Sequence, residues 1–329
     1  MPDDVLRRAP SRAALATVGA AISPGSRVGT IRRLRGGIAS GMHAVNFVGP
    51  DGSHQWVVVR RYGQGRIAED PQVAEREWAV LTALARVGAP TPRPLWLDTS
   101  GSVFGCPSIV TNRLPGRGLL APRDLSGWVR QLAEALAQIH AAPLTADEFG
   151  LLVDQHAELD RYLLPAQTPD AIAAKPFGPE VWSAVRQCWP TIDRSAPLLV
   201  HGDYWPGNTL WLRGRLSGVV DWEQARRGDP VQDVACCRLD LTLLCGPEAA
   251  DQFVQEYERA SQRPVRQRWF WELLVASWAL GDVEEWVKGY HDLGRTDVEP
   301  ATARRQLERF AEAALAQAAL AQAAQARGG

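Results

Sequence analysis

The segment LVHGDYWPGNTLW, residues 199–211, contains two short apolar runs separated by a polar loop. Residues 206–207 are Pro-Gly, a pair typical of tight turns, and they lie between Asp203 and Asn208. Because a turn folds such a loop back on itself, we expect both polar side chains to point toward one place. This arrangement suits a metal ion and a reacting hydroxyl.

A second acidic residue follows the next apolar run, LSGVVDW at residues 216–222. The two runs predict a hairpin that carries Asp221 at its exit, beside the loop. Asp203 suits a group that accepts or orients a proton, and the ordinary aspartate pKa of about 3.9 predicts that it is ionised. Asn208 and Asp221 offer the oxygen ligands that Mg²⁺ prefers. Singly, Asp203 and Asn208 are also common turn residues, so the interpretation depends on all three occurring together.

The composition indicates a globular protein. The chain has 329 residues, of which 46% are hydrophobic and 22% charged, and its formal net charge is −1. This balance gives no overall field to attract nucleic acid or an anionic membrane, so we expect neither as a partner. Five cysteines with no CxxC pair argue against a disulfide framework and favour the cytoplasm. Arg7-Arg8 before an apolar stretch leaves a twin-arginine export signal as the alternative.

The chain order predicts an α+β fold with two parts. Short β-branched runs at residues 27–34, 43–49 and 54–62 are separated by turn residues and predict an antiparallel meander. Residues 71–88 have the apolar spacing of a helix that ends at a glycine. After a further strand the pattern becomes mainly helical, so we place the boundary between residues 1–114 and residues 115–329.

HGDYWPGN, followed by VVDWE, resembles the catalytic loop and metal-binding motif of the aminoglycoside phosphotransferase and choline kinase family, relatives of the protein kinases. Further matching pieces occur in the same order along the chain, and they are VVVRRY, EREWAVLTAL, AQIHAAP and GDPVQDVA. The resemblance runs from about residue 35 to about residue 241. It implies a protein-kinase-like two-lobe fold: an N-terminal nucleotide-binding lobe with an antiparallel sheet and one main helix, and a larger helical lobe carrying the catalytic loop, metal site and acceptor site.

The resemblance also implies a role for each matching residue. Asp203 would be the catalytic base or orienter, and Asn208 and Asp221 would hold Mg²⁺. The phosphoryl donor would be ATP or GTP. The residues expected to contact this nucleotide are Arg60, Glu77, Gly36, Gly37, Gly41, Asn112, Arg113 and Leu114. His201 is expected to fix the shape of the loop by hydrogen bonds within it, and Asp233 is expected to brace the lobe by capping the helix that follows.

Within the nucleotide set, the glycines would cover the phosphates and residues 112–114 would edge the adenine through backbone groups. Glu77 would pair with the strand cation. That cation is a lysine in protein kinases and is Arg60 here, with Arg61 turned to the opposite face by strand alternation. Protein kinases also carry an arginine at the position of Gly202, so regulation by activation-loop phosphorylation is not expected.

Three functions follow as hypotheses. The first is a Mg²⁺-dependent kinase that phosphorylates a hydroxyl of an aminoglycoside-, macrolide-, sugar- or amino-alcohol-like molecule. The second is a catalytically silent nucleotide-binding protein with the same fold, and the third is a kinase of protein side chains. Seven acidic residues between residues 271 and 300 could attract a cationic acceptor, with Trp278 and Trp286 available for stacking, or could simply form a solvated helix face. The sequence does not indicate an oligomeric state.

Overall fold

The computed structural model describes residues 6–34, 40–163, 167–194 and 197–328. The chain divides into two compact units. The first unit comprises Met1–Pro115 and Pro143–Leu152, and the second unit comprises Gly116–Ala142 and Val153–Gly329. The sequence did not predict the return of Pro143–Leu152 to the first unit. The first unit is built on a sheet and the second is mainly helical, which confirms the predicted α+β class.

The strands pair into three separate sheets. A five-stranded sheet has the order β1-β2-β3-β5-β4, a three-stranded sheet has the order β6-β10-β7, and β8 pairs with β9. In chain order the strands are β1 Arg27–Arg33, β2 Ser40–Val48, β3 His54–Tyr62, β4 Pro94–Asp98, β5 Ser108–Asn112, β6 Val153–Asp154, β7 Leu198–Val200, β8 Thr209–Leu212, β9 Arg215–Val219 and β10 Arg226–Gly228.

The helices occupy most of the second unit. In chain order they are α1 Arg12–Ile22, α2 Gln64–Glu69, α3 Val73–Arg86, α4 Leu125–His140, α5 Ala146–Leu151, α6 Gln155–Tyr162, α7 Asp170–Ala173, α8 Gly178–Cys188, α9 Val231–Cys245, α10 Pro247–Ser261, α11 Arg268–Asp292 and α12 Pro300–Gly328. Within the described residues, no helix combines the length and the apolar character needed to cross a membrane.

The five-stranded sheet of the first unit is antiparallel throughout and has two different faces. Val57 and Val59 of β3 belong to an apolar cluster with Leu15 and Val18 of α1. Because side chains alternate along a strand, Arg60 and Tyr62 point to the opposite face, where they meet α3. The predicted meander and main helix are therefore present, and α1 covers the sheet's other side.

The second unit has one large apolar core formed by α8, α9, α11 and α12. Its largest fully buried side chains include Trp182 and Trp271. Burial of such aromatic surface contributes on the order of 2–3 kcal/mol per side chain, so this core gives α9 a firm position. The predicted hairpin is also present: Thr209 at the start of β8 pairs with Val219 at the end of β9. The functional residues extend from these two elements.

Candidate active site

The loop at residues 201–208 begins where β7 ends, and its first turn requires glycine. Gly202 has φ of 83°, a conformation that side chains with a Cβ rarely adopt. A Cβ at this position would also collide with the backbone oxygen of Gln224. The arginine that protein kinases carry here is thus excluded by the backbone itself.

Asp233, in the first turn of α9, holds this loop. Its carboxylate accepts hydrogen bonds from the backbone N–H of His201 at 2.6 Å and of Gly202 at 2.8 Å. Nε2 of His140 lies 3.0 Å from the same carboxylate, and Nδ1 of His140 lies 2.7 Å from the hydroxyl of Tyr257. Burial alone would raise the pKa of Asp233, but the contacts with His140 and His201 outweigh it and hold the pKa below its usual range.

The expectation that Asp233 caps its own helix was wrong, and His140 is an additional residue that contacts Asp233. Asp233 makes no side-chain cap on its own helix, because its oxygens are directed at the loop instead. His140, the last residue of α4, is buried beside Asp233 and bonds to it. No local pattern could reveal this contact, since 93 residues separate the two side chains in the chain.

His201 hydrogen-bonds within the loop, as expected. A carbonyl oxygen can only accept, so Nε2 of His201 donates to the backbone oxygen of Val220 at 3.0 Å. Nδ1 then accepts from the backbone N–H of Asp203 at 3.3 Å. Burial lowers the pKa of His201, which favours this neutral tautomer. Tyr204 anchors the same loop by donating to the backbone oxygen of Leu132 at 2.7 Å.

Asn208 joins the two ends of the loop. Its side-chain nitrogen donates to the backbone oxygen of Asp203 and to Asp203 Oδ2, both at 2.9 Å. These two bonds use both amide hydrogens, so the amide oxygen of Asn208 remains as the group able to bind a cation. The predicted convergence of Asp203 and Asn208 is therefore present in the structure.

Asp221 follows β9 and is brought beside the loop by the hairpin. The N–H of Val220 donates to the backbone oxygen of Asn208 at 2.9 Å, and Asp221 itself has a left-handed conformation with φ of 71°. The two residues predicted to hold Mg²⁺ thus lie at adjoining strand ends and offer one amide and one carboxylate oxygen. Among the described residues, no cluster of three or more His, Cys, Asp or Glu could hold a metal ion. A site at Asn208 and Asp221 would leave most positions to water and phosphate, as Mg²⁺ sites usually do.

The ionisation of Asp203 differs from the expectation of an ordinary carboxyl. Desolvation, and then the charges of Asp221 and Asp240, raise its pKa to about 7, while the bond from Asn208 lowers it. Because Asp203 is an exposed residue, the repulsion between carboxylates is the stronger physical reason for this direction. A cation bound beside Asp203 would reduce that repulsion.

In the first unit, Arg60 and Glu77 form the expected ion pair. Nη1 of Arg60 lies 3.4 Å from Oε2 of Glu77, and both side chains are buried. Arg60 Nη2 also contacts the sulfur of Met42 at 3.3 Å. The hydroxyl of Tyr62 donates to the same Glu77 oxygen at 2.6 Å, a contact that sequence reasoning missed.

Arg61 lies on the opposite face of the sheet. Its Nη2 donates to the backbone oxygens of Leu6 at 2.8 Å and Arg8 at 2.5 Å. The pair Arg60 and Arg61 thus divides between the two faces in the predicted way. Leu6 also lies directly against Gly41, where an added Cβ would meet the Leu6 backbone oxygen at 2.5 Å.

The other residues predicted to contact the nucleotide differ in whether their backbone groups are available to it. Gly36 and Gly37 lie outside the described residues. The backbone N–H of Asn112 donates to the backbone oxygen of Arg93, and that of Arg113 donates to the backbone oxygen of Trp56, both at 3.0 Å. Neither N–H is therefore available to a base. Asn112, Arg113 and Leu114 all lie in the described part of the chain. Of these three residues, Leu114 is the one whose N–H makes no hydrogen bond to a backbone oxygen.

The acidic residues between residues 271 and 300 are largely engaged in ion pairs. Glu272 is buried and pairs with Arg238 and Arg268, and its pKa is raised by burial. Glu284 pairs with Arg304, and Glu285 with Lys288. Trp278 and Trp286 pack against the core of the second unit. These contacts weigh against a pocket for a cationic acceptor, and the buried Glu272 also departs from the alternative of a solvated helix face.

The chain is similar to known phosphotransferases. A model of the phosphotransferase enzyme family matches residues 36–269. Viomycin phosphotransferase of Streptomyces vinaceus is 29% identical over 196 residues, which are 56% of this chain and 67% of that protein. Acyl-CoA dehydrogenase family member 10 of Mus musculus is 27% identical over 193 residues, 54% of this chain but 18% of that protein. The chain spans about a quarter or less of the length of such acyl-CoA dehydrogenase relatives.

The fold is shared with solved structures of the same kind. The macrolide 2'-phosphotransferase of Brachybacterium faecium superposes with a TM-score of 0.55 at 21% identity, covering 88% of this chain and 96% of that one. A likeness at this identity concerns the fold and leaves the acceptor undetermined. It confirms the predicted protein-kinase-like fold. With the family model matching well over half of its residues, the chain belongs to the phosphotransferase enzyme family.

Proposed function

We propose that this chain is a Mg²⁺-dependent kinase that transfers the γ-phosphate of ATP, or of GTP, to a hydroxyl of a small molecule. The observation that carries the proposal is the arrangement of Asp203. Asn208 fixes this carboxylate at 2.9 Å, Asp221 lies at the adjoining strand end, and Asp233 braces the loop from behind. The proposed proton acceptor Asp203 and the proposed cation ligands Asn208 and Asp221 thus form a single site.

The proposed step is an in-line displacement. The acceptor hydroxyl oxygen forms a bond to the γ-phosphorus as the bond from that phosphorus to the bridging oxygen breaks, releasing the nucleoside diphosphate. Asp203 orients the hydroxyl and receives its proton. Desolvation and the neighbouring carboxylates raise the pKa of Asp203, which makes it a better proton acceptor than an ordinary aspartate.

The other residues bind and orient the donor. Mg²⁺, when bound, neutralises charge on the phosphates and screens the carboxylates from one another. Asn208 and Asp221 would hold it through the amide and carboxylate oxygens. Arg60 would grip phosphate oxygens with its guanidinium while Glu77 fixes its direction. Gly36, Gly37 and Gly41 are proposed to cover the phosphates.

The base would be edged by the turn that follows β5. The N–H groups of Asn112 and Arg113 are used within the sheet, so the base contact is assigned to the N–H of Leu114. The backbone carbonyl groups of Asn112 and Arg113 remain candidates to accept hydrogen bonds from the base. We expect ATP and GTP to be distinguished here, because their bases exchange donor and acceptor positions along this edge.

The acceptor class is proposed from the relatives. Their names specify viomycin and macrolides. The ion-paired acidic residues of α11 do not favour a strongly cationic acceptor over the others. An aminoglycoside-, macrolide-, sugar- or amino-alcohol-like molecule therefore belongs in the test panel.

The test is mass spectrometry of hydroxylated acceptors incubated with the protein, Mg²⁺ and either nucleotide. Asp203→Asn is run in parallel because it keeps the shape of the side chain and removes its charge. Asp147→Asn, a change at an exposed residue of α5, is the matched control.

A phosphate-sized mass gain on one acceptor class, present with the control and absent with Asp203→Asn, supports the proposal. Binding of Mg²⁺-nucleotide without transfer to any acceptor in a broad panel would instead favour a silent nucleotide-binding protein. Transfer to protein side chains alone would indicate the third hypothesis.

A further inference from the structure

Two donors from one strand converge on a single oxygen of Glu77. Arg60 and Tyr62 are two residues apart on β3 and therefore share a face of the sheet. The Tyr62 hydroxyl lies 2.6 Å from Glu77 Oε2, and Arg60 Nη1 lies 3.4 Å from the same atom. The shorter contact belongs to the neutral donor. The Arg60–Glu77 ion pair thus includes Tyr62 as a further member.

All three side chains are removed from water. Tyr62 has no exposed surface, Glu77 is 4% exposed and Arg60 is 6% exposed. A buried carboxylate needs donors as well as a counter-charge, because desolvation otherwise makes its ionised form costly. Tyr62 supplies a donor that belongs to the sheet and does not depend on where the guanidinium points.

We propose that Tyr62 is a positioning residue for the nucleotide site, which holds Glu77, and through it Arg60, in the arrangement that binds phosphate. The inference rests on the proposed function, since it concerns the same nucleotide site. In the proposed site, the hydroxyl of Tyr62 contacts no reacting atom. Its effect passes through the Glu77 carboxylate.

The need for Tyr62 follows from the arginine at position 60. A guanidinium has five N–H groups in a fixed fork, and part of that fork already contacts the sulfur of Met42 at 3.3 Å. When the fork turns toward a phosphate, its weak contact with Glu77 lengthens further. The hydrogen bond from Tyr62 then keeps the carboxylate in place, so that the arginine has a fixed anchor.

The test removes only the hydroxyl, with Tyr62→Phe, and measures the affinity for a Mg²⁺-bound, non-hydrolysable ATP analogue by calorimetry. We expect the Kd to rise about tenfold, the size of effect typical for one hydrogen bond to a charged group. In steady-state kinetics the nucleotide KM should rise by more than kcat falls. This split separates positioning of the nucleotide site from a general loss of folded protein.

The matched control is Ser108→Ala. Ser108 is buried on the neighbouring strand β5, its hydroxyl donates to the backbone oxygen of Cys106 at 2.9 Å, and its cross-strand partner is Arg61. It therefore loses a buried hydroxyl from the same sheet without touching Glu77. We expect its nucleotide Kd to equal that of the unmodified protein within about twofold.

The outcomes separate the inference from the proposed function. If the unmodified protein binds the analogue and Tyr62→Phe binds it equally well, the inference is overturned while the function stands. The same holds if Ser108→Ala weakens binding as much as Tyr62→Phe does. If the unmodified protein binds no nucleotide, the proposed function fails and the inference fails with it.

Discussion

Asn208 couples two functions through one amide group. Its nitrogen fixes Asp203, and its oxygen is left for a cation, so the base and a metal ligand cannot be oriented independently. An aspartate at this position could offer the oxygen but not the two hydrogens. An asparagine at position 208 can therefore fill both roles, whereas an aspartate can fill only one.

Asp203→Ala should lower turnover by about 10²–10⁴-fold, the range typical for loss of a proton-handling group. Nucleotide affinity should change little, since the side chain is assigned to the acceptor's proton. Steady-state kinetics with a phosphorylated acceptor as readout, together with nucleotide titration, measure both quantities. Near-normal turnover would contradict the assignment of Asp203.

Asp221→Ala should weaken the binding of Mg²⁺-nucleotide itself, because it removes the charged member of the proposed ligand pair. Calorimetric titration with and without Mg²⁺ is the direct measurement. We expect the difference between the two titrations to shrink in the variant. An unchanged Mg²⁺ dependence would argue against Asp221 as a ligand.

At the scale of elements, the loop at residues 201–208 takes its shape from a helix that follows it in the chain. Asp233 receives two backbone N–H groups from this loop and a ring N–H from His140. The first turn of α9 is therefore part of the loop's structure. Since α9 is embedded in the main core, the loop inherits the rigidity of that core.

Asp233→Asn should destabilise the protein by about 2–4 kcal/mol, because an amide would present hydrogens to a site built for a full acceptor. Activity should fall together with stability. Unfolding in denaturant, followed by fluorescence, measures the free energy. Asp124→Asn is the control: Asp124 caps α4 by accepting from Gly127, a role that asparagine fills within about 0.5 kcal/mol. Equal stability of the two variants would contradict the role of Asp233 in holding the loop at residues 201–208.

The elements and the site were predictable from the sequence to different degrees. Strands β2 and β3, helix α3 and the hairpin of β8 and β9 followed from local periodicity and turn residues, because neighbours in the chain decide them. The convergence of Asp203 and Asn208 also followed from a local turn. The partner of Asp233 and the bond from Tyr62 to Glu77 did not, because packing of distant elements decides them.

At the scale of the whole molecule, one buried carboxyl links stability to pH. Asp240 of α9 accepts from the hydroxyl of Tyr290 at 2.6 Å, and burial raises its pKa from 3.8 to about 7. The unfolded chain therefore loses this proton first as pH rises. Ionisation of Asp240 favours unfolding, so its contribution to stability is complete below about pH 4 and is lost by about pH 7.

Asp240→Asn should remove this pH dependence, since asparagine stays neutral and can still accept from Tyr290. The variant should gain stability relative to the unmodified protein as pH rises from 5 to 8, by about 2–3 kcal/mol, because about two pKa units of the shift lie above pH 5, at about 1.36 kcal/mol each. Denaturant unfolding at a series of pH values measures the difference, in which the titrating groups that do not interact with Asp240 cancel. A difference that is constant with pH would contradict a buried neutral carboxyl.

The return of Pro143–Leu152 to the first unit means that this unit is not one continuous piece of the gene. Arg86 at the end of α3 donates to both carboxylate oxygens of Glu148, at 2.6 Å each, and to the backbone oxygen of Pro143 at 3.2 Å. A fragment that stopped at residue 115 would leave α3 without this cover. An expression plan for the isolated first unit should therefore join residues 1–115 to residues 143–152 through a synthetic linker, and recombination between relatives should exchange both segments together.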